Sequence, residues 1–356
     1  MKYQKILPLL LIPCLLCGCA QETAVSSGVP ESSKTEASAV EPAVSDLFAM
    51  DTYMNLKVWC MDGDAALQEA AVLISGLENT LSVTNPDSDT SRINQNAGSP
   101  VAVSDDTAVL LREAVQIGAE SGGSLDITIY PVLKEWGFTT QEYQIPEDSR
   151  IQELLQHVDY TQIQLDGNTV IIPEEAQVDF GALAKGYTSD KLMQLFREYG
   201  AESAIVSLGG NVQALGRKTD GSLWKVGVVN PLSPSENMCI LEIENQAVIT
   251  SGNYERYFVG DDGQIYWHII DPKDGFPADN GLISVTVIGE SGLLCDALST
   301  ALFAEGTEQA VRHYQQSEQF DMILVTEDGK ILISEGIEQN FENISTMPVE
   351  VIAHAG

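Results

Sequence analysis

Basic residues are scarce in this chain. Eighteen lysines and arginines stand against 52 aspartates and glutamates, giving a formal net charge of −34. So few cations cannot displace counterions from a phosphate backbone, which argues against nucleic acid as a partner. The same balance keeps a protein soluble outside the cell and tolerates a divalent cation. Cysteine is also thin: of six, Cys14 and Cys17 fall within an apolar leader and Cys19 closes it. Cys60, Cys239 and Cys295 remain, an odd set without paired spacing, so no disulfide framework is expected. Four scattered histidines likewise argue against a zinc centre. The apolar run Ile6 to Leu16, preceded by Lys2 and Lys5, is too short for a stable membrane span and reads as a secretory leader.

The leader ends in Leu16-Cys17-Gly18-Cys19, which resembles the bacterial lipoprotein signal. That resemblance implies cleavage after residue 18 and lipidation of Cys19, with the protein exported and anchored to the cell membrane, facing away from the cytoplasm. Residues 19–45 are rich in Ser, Glu, Ala, Thr and Pro, a composition that cannot offset the entropy of ordering and predicts a flexible tether. No second linker of that kind follows. Residues 46–352 are therefore expected to form one α+β domain, built of mixed or antiparallel sheets with packed helices.

Within that domain the alternation from Tyr53 to Trp59 predicts a strand, and the spacing of Leu67, Ala70, Ile74, Leu77 and Leu81 predicts a helix over 64–81. Asn85 to Asn94 reads as a polar loop, with capping and binding equally open. A second helix is expected from Ser104 to Ser121. Gly122-Gly123-Ser124-Leu125-Asp126 then leads into a short apolar strand, where Asp126 either serves a site or braces a turn. Thr161 to Ile172, broken by Asp166-Gly167-Asn168, reads as a hairpin. The later half is mostly sheet, with Ser203 to Leu208 ending in Gly209-Gly210-Asn211, and Asp261-Asp262-Gly263 as a hairpin turn.

The stretch 178–187, Val-Asp-Phe-Gly-Ala-Leu-Ala-Lys-Gly-Tyr, combines an acid, two glycines and a lysine. It reads as a loop that lets backbone approach a ligand, with Lys185 placed to meet a phosphate, feeding an amphipathic helix that Gly200 stops. His268 stands at a strand end before a turn. On a helix, Asp296, Ser299 and Thr300 share one face, so a carboxylate and two hydroxyls can converge into an oxygen-only set that suits magnesium. Helix capping and bonding back to carbonyls is the plainer alternative for that trio.

Seven segments taken in order resemble the ApbE family, bacterial FAD:protein FMN transferases that are often exported lipoproteins. They are Phe-Ala-Met-Asp-Thr at 48–52, Gly-Ser-Leu-Asp-Ile-Thr at 123–128, Asp-Phe-Gly-Ala-Leu-Ala-Lys-Gly-Tyr at 179–187 and Ser-Leu-Gly-Gly-Asn at 207–211. Thr-Ser-Gly-Asn-Tyr at 250–254, His-Ile-Ile-Asp-Pro at 268–272 and Asp-Ala-Leu-Ser-Thr at 296–300 complete the series. Leu125 departs from the pattern, which more often has phenylalanine there.

The resemblance implies a reaction: FAD is split at its pyrophosphate, FMN is joined through its phosphate to a threonine or serine of a target protein, and AMP leaves. It implies FAD contacts at Met50, Ser124, Leu125, Asp126, Asp179, Lys185 and Ile270. Magnesium ligands are implied at Asp296, Ser299, Thr300 and the Ala182 carbonyl, and His268 is the candidate for taking the proton of the target hydroxyl. The implied partner is a flavoprotein subunit of a membrane redox pump or a secreted electron-transfer protein. Two other activities fit the same motifs: a magnesium-dependent FAD pyrophosphatase releasing FMN and AMP, and a flavin-binding lipoprotein without turnover.

Overall fold

The computed structural model describes residues 41–354; the leader, Cys19 and the tether through residue 40 lie outside the described residues. Strand structure begins earlier than the composition suggested. Ala43–Ala49 pairs in continuous antiparallel register with Thr52–Trp59, from Ala43 opposite Val58 to Ala49 opposite Thr52. That hairpin is one edge of a nine-stranded sheet, which continues through Ser203–Leu208, Asn211–Leu215, Ala247–Gly252, Leu282–Gly289, Asp321–Thr326, Ile331–Ser334 and Val349–Ile352. Only the last pairing in that order is parallel, so the sheet is mixed.

The central strands are apolar at nearly every position because both faces are covered. Met322 and Leu324 point into the core beneath the helices, while Ile323 and Val325 join a second core on the other side. The helices Gly63–Leu81, Asp105–Glu120, Ala184–Glu198 and Gly292–Glu305 contribute to the first side. A three-stranded sheet of Trp224–Asn230, Ser233–Ile243 and Phe341–Asn343 contributes to the second. A smaller aromatic corner collects Trp136, Phe138 and Ile270 around the two-stranded hairpin Tyr257–Val259 and Ile265–Trp267. The fold is thus α+β. Cys60, Cys239 and Cys295 are buried free thiols, and among the described residues no helix is long and apolar enough to cross a membrane.

Three local expectations need correction. The polar loop at 85–94 contains a helix, Asp89–Gln95, because Ser88 accepts a hydrogen bond from the Ser91 amide and caps it. The apolar strand after Gly123 is instead a 3-10 turn, Ile127–Ile129, followed by the helix Tyr130–Glu135. Asp126 caps the former and Pro131 sits in the first turn of the latter. Lys185 is not in a loop: the helix starts at Ala184, after the Leu183 and Ala184 amides both bond the Phe180 carbonyl.

Candidate active site

A cleft of about 630 Å³ lies where the Asp179 segment, the Asp126 turn and the Gly292–Glu305 helix meet. That size is within the range of small-molecule sites. Two glycines make the meeting possible. A Cβ on Gly186 would lie 2.1 Å from the Gly292 carbonyl and 2.6 Å from the Asp296 Cβ, so the two helices touch at backbone distance. Gly209 has a positive φ of 63°, and a Cβ there would lie 2.1 Å from the Thr52 hydroxyl on the cleft wall.

The helix contact fixes Asp296. Its Oδ2 accepts from the Gly186 amide at 2.8 Å and its Oδ1 from the Asn211 side chain at 2.9 Å. Burial pushes this carboxyl above the ordinary aspartate range, with Lys185 the first of the groups pulling it back. Thr300, one turn further, lines the same cleft, as does Ala182. Ser299 does not. It is fully buried, its hydroxyl lies 2.8 Å from that of Ser251, and it donates to the Asp296 carbonyl at 2.9 Å. The bonding back that the sequence left open is therefore what Ser299 does, and Ser251 bridges it to Thr300 at 3.4 Å.

The Asp296 carboxylate, Thr300 and Ala182 thus line one cleft, and between them they can offer a carboxylate, a hydroxyl and a backbone carbonyl. Among the described residues no cluster of three His, Cys, Asp or Glu side chains forms a metal site. Magnesium is satisfied by few protein oxygens and keeps waters, and a desolvated carboxylate gains from a cation beside it. The residues therefore fit that ion.

Lys185 lines the cleft from the first turn of its helix, and Arg256 lines it from the segment 254–256. Among the described residues neither forms a salt bridge. Their charge is felt nonetheless. Asp179 is raised by burial, then lowered by the amides of Gly181 and Phe180, by Arg256 and by Lys185. Glu255, on the cleft wall where solvent still reaches it, is pushed up to about 7, with burial the largest cause and Lys185 and Arg256 opposing it. His268, half-buried on the cleft wall, is lowered to about 3 by desolvation first and then by Arg256; its Nδ1 lies 3.3 Å from the Arg256 carbonyl. At neutral pH its imidazole is neutral.

The remaining residues singled out from the sequence divide into cleft wall and support. Ser124, Leu125 and Ile270 line the cleft and are themselves buried, and among the described residues the Ser124 hydroxyl has no hydrogen-bond partner. Asp126 also lines it, yet its oxygens are taken: Oδ1 accepts from the Thr128 amide and hydroxyl at 2.8 and 2.5 Å, and Oδ2 from the Tyr160 amide at 3.0 Å. The carboxylate braces a turn. Met50 is turned inward, its sulfur 3.7 Å from the Thr188 hydroxyl, while its neighbours Asp51 and Thr52 reach the cleft. Asn94 clamps the entry to the central segment through both the amide and the carbonyl of Val178.

Sequence reasoning missed Glu255 and Arg256. They follow Thr-Ser-Gly-Asn-Tyr directly, and their reading as strand concealed a charged pair pointing at the site. Asp190 was missed as well. From the Ala184–Glu198 helix it accepts from the Gly292 and Leu293 amides at 2.7 and 3.0 Å and from the Ser291 hydroxyl at 3.1 Å, holding the start of the helix that carries Asp296.

Comparison with known proteins covers the same ground. The model of the ApbE family matches residues 50–324. An FAD:protein FMN transferase of Treponema pallidum is 31% identical over 92% of this chain and 93% of its own length. Another, from Klebsiella pneumoniae, is 34% identical over 78% of this chain and 87% of its own. Among solved structures, the ApbE protein of Thermotoga maritima superposes with a TM-score of 0.79 at 30% identity, covering 84% of this chain and 99% of that one. The flavin transferase ApbE of Vibrio cholerae gives 0.76 at 29% identity, covering 84% and 99%.

Proposed function

This chain belongs to the ApbE family, and from that premise we propose that it is a magnesium-dependent FAD:protein FMN transferase. It splits FAD at the pyrophosphate, attaches FMN through a phosphoester to a threonine or serine of a target flavoprotein, and releases AMP. The observation that carries the reading is the convergence, in one cleft, of two cations without salt bridges, Lys185 and Arg256, with the buried oxygens of Asp296. Such a site suits a pyrophosphate better than a neutral ligand.

Asp296, Thr300 and the Ala182 carbonyl would hold magnesium, with Ser299 supporting them from behind. When bound, the ion supplies charge neutralisation at the non-bridging phosphate oxygens. Lys185 and Arg256, both on the cleft wall, bind and orient the phosphates. Leu125 and Ile270 offer apolar contact to the flavin or adenine, and Ser124 offers a hydroxyl. Asp126 keeps its turn rigid, Asp179 feels both cations and offsets part of their repulsion, and Met50 anchors the hairpin turn that presents Asp51 and Thr52.

The acceptor hydroxyl attacks the FMN phosphorus, the bond from phosphorus to the bridging oxygen breaks, and AMP departs with that oxygen. His268 takes the hydroxyl proton. With Nδ1–H donating to the Arg256 carbonyl, Nε2 is the accepting nitrogen. Burial is the main cause of its low basicity, and phosphate charge beside Arg256 and Lys185 would relieve the smaller part that those cations contribute. Lipidation of Cys19 and anchoring at the outer side of the membrane belong to the same proposal, since a redox-pump subunit or secreted electron-transfer protein would be met there.

The test mixes the chain from residue 41 onward with FAD, magnesium and an FMN-binding domain and reads the intact mass of that domain. A gain of one FMN phosphoester, absent with EDTA and absent when the acceptor threonine is alanine, is expected. Free FMN and AMP beside an unmodified domain would instead make the protein a pyrophosphatase, and intact FAD would make it a binding protein.

A further inference from the structure

The transfer needs a protein to bring the hydroxyl, and one corner of the surface is shaped for it. The hairpin Tyr257–Val259 and Ile265–Trp267 buries one face: Phe258 and Tyr266 stack at 5.4 Å, and Tyr266 lies 5.2 Å from Trp136. On the other face Trp267 packs against the main core and donates to the Ala278 carbonyl at 3.1 Å, and the rest is open. Tyr257, Val259 and Ile265 are 49%, 62% and 53% exposed. Tyr143 and Ile145 cover the first face from outside, Tyr143 stacking on Phe258 at 5.2 Å and Ile145 lying against Gly260, so they brace the hairpin from behind. Three neighbouring apolar side chains left in water on an acidic chain suit an interaction site.

The backbone is equally open. These strands form a sheet of two, and the Gly260 amide bonds the Gln264 carbonyl while the His268 amide bonds that of Arg256. Antiparallel alternation then turns the N–H and C=O groups of Tyr257 and Val259 outward. The position is what identifies the occupant. The hairpin leaves the cleft wall after Arg256 and rejoins it at His268, and the Phe138 ring touches both Phe258 at 5.8 Å and His268 at 6.4 Å.

We propose that the Tyr257–Val259 edge docks the acceptor: an extended apolar segment of the target flavoprotein adds to it as a third strand and passes its threonine or serine hydroxyl to His268. This rests on the transferase reading. Strand addition supplies main-chain affinity with little demand on sequence, and at ~3.3 Å per residue a strand seated opposite Val259 reaches the cleft mouth within about three residues. A second copy of the chain or a lipid surface has no need of an edge that ends at the catalytic cleft.

The experiment compares Val259→Pro, which removes an outward N–H that the hairpin does not use, and Ile265→Asp with the unaltered protein. The probe is an FMN-binding domain that the unaltered protein flavinylates. The expected result is an acceptor KM raised about tenfold or more in both variants, with kcat at saturating acceptor and the Kd for FAD within about twofold. Circular dichroism and thermal melting keep a misfolded variant from being scored. An unchanged KM overturns the docking edge while leaving the transferase intact. If instead the variants lose a dimer seen by sedimentation, or lose binding to phosphatidylcholine–phosphatidylglycerol vesicles, with KM unchanged, the patch serves that partner. If no FMN-binding domain is flavinylated by the unaltered protein, the transferase reading fails and this inference with it.

Discussion

His268 shows how a single residue couples the fold to chemistry. Burial, followed by Arg256 and Lys185, holds its imidazole at about 3 against an ordinary 6.5. In the unfolded chain it titrates normally, so between those two values acidification protonates the unfolded state and not the fold, and stability falls with pH. Replacing His268 with Gln should flatten that limb, measured by urea unfolding at about pH 4.5 and about pH 7; an unchanged slope would mean the imidazole is not desolvated. In the transfer reaction His268→Ala should cost about 10²–10⁴ in rate with FAD binding nearly intact, the span expected of a lost general base. Lys185→Met should weaken FAD binding by about tenfold to a hundredfold, the worth of a charged hydrogen bond to phosphate, and calorimetry would show it; equal affinity would remove Lys185 from the phosphate site. Residue identities at the cleft were legible because motifs carry them in local order. What each carboxylate does was not, because that depends on partners far along the chain: Asp126 is braced by Tyr160, Asp296 by Gly186 and Asn211.

At the scale of elements, the helices Ala184–Glu198 and Gly292–Glu305 act as one part. They touch through Gly186 and Gly292, and Asp190 on the first caps the start of the second. Gly186→Ala should push the helices apart and destabilise the protein by about 1–3 kcal/mol, an overpacking cost, and should also weaken magnesium binding because Asp296 moves with its helix. Asp190→Ala is expected to cost about 0.5–2 kcal/mol, the range for a lost helix cap; thermal melting with and without magnesium would check both. If Gly186→Ala leaves both quantities unchanged, the close approach is not what sets the ligand geometry. The long helices were plain in the sequence, since a 3.6-residue period over four turns is a strong signal. Short elements were not. Asp89–Gln95 and the turn at Ile127–Ile129 depend on single capping side chains, and the hairpin Tyr257–Val259 with Ile265–Trp267 hides its unequal faces behind uniformly apolar residues.

The whole molecule carries a formal charge of −34, and its compact state works against that repulsion. Raising ionic strength from about 20 mM to about 200 mM shortens the Debye length severalfold and should raise the melting temperature; a flat or falling melt would mean the surface acids are locally neutralised. Fold class was readable at this scale because strand and helix patterns were both present. Strand order was not, because neighbours such as Ala247–Gly252 and Asn211–Leu215 are set by pairing across distant segments. That order also separates the two ends of the domain. Ala43–Ala49 forms one margin of the nine-stranded sheet and Val349–Ile352 the other. Eight inter-strand steps of ~4.8 Å place those margins roughly 38 Å apart before twist shortens the path. A circularly permuted version of this domain would therefore need a joining peptide of about a dozen extended residues, whereas a fluorescent protein fused after the last strand would stand clear of anything attached before the first.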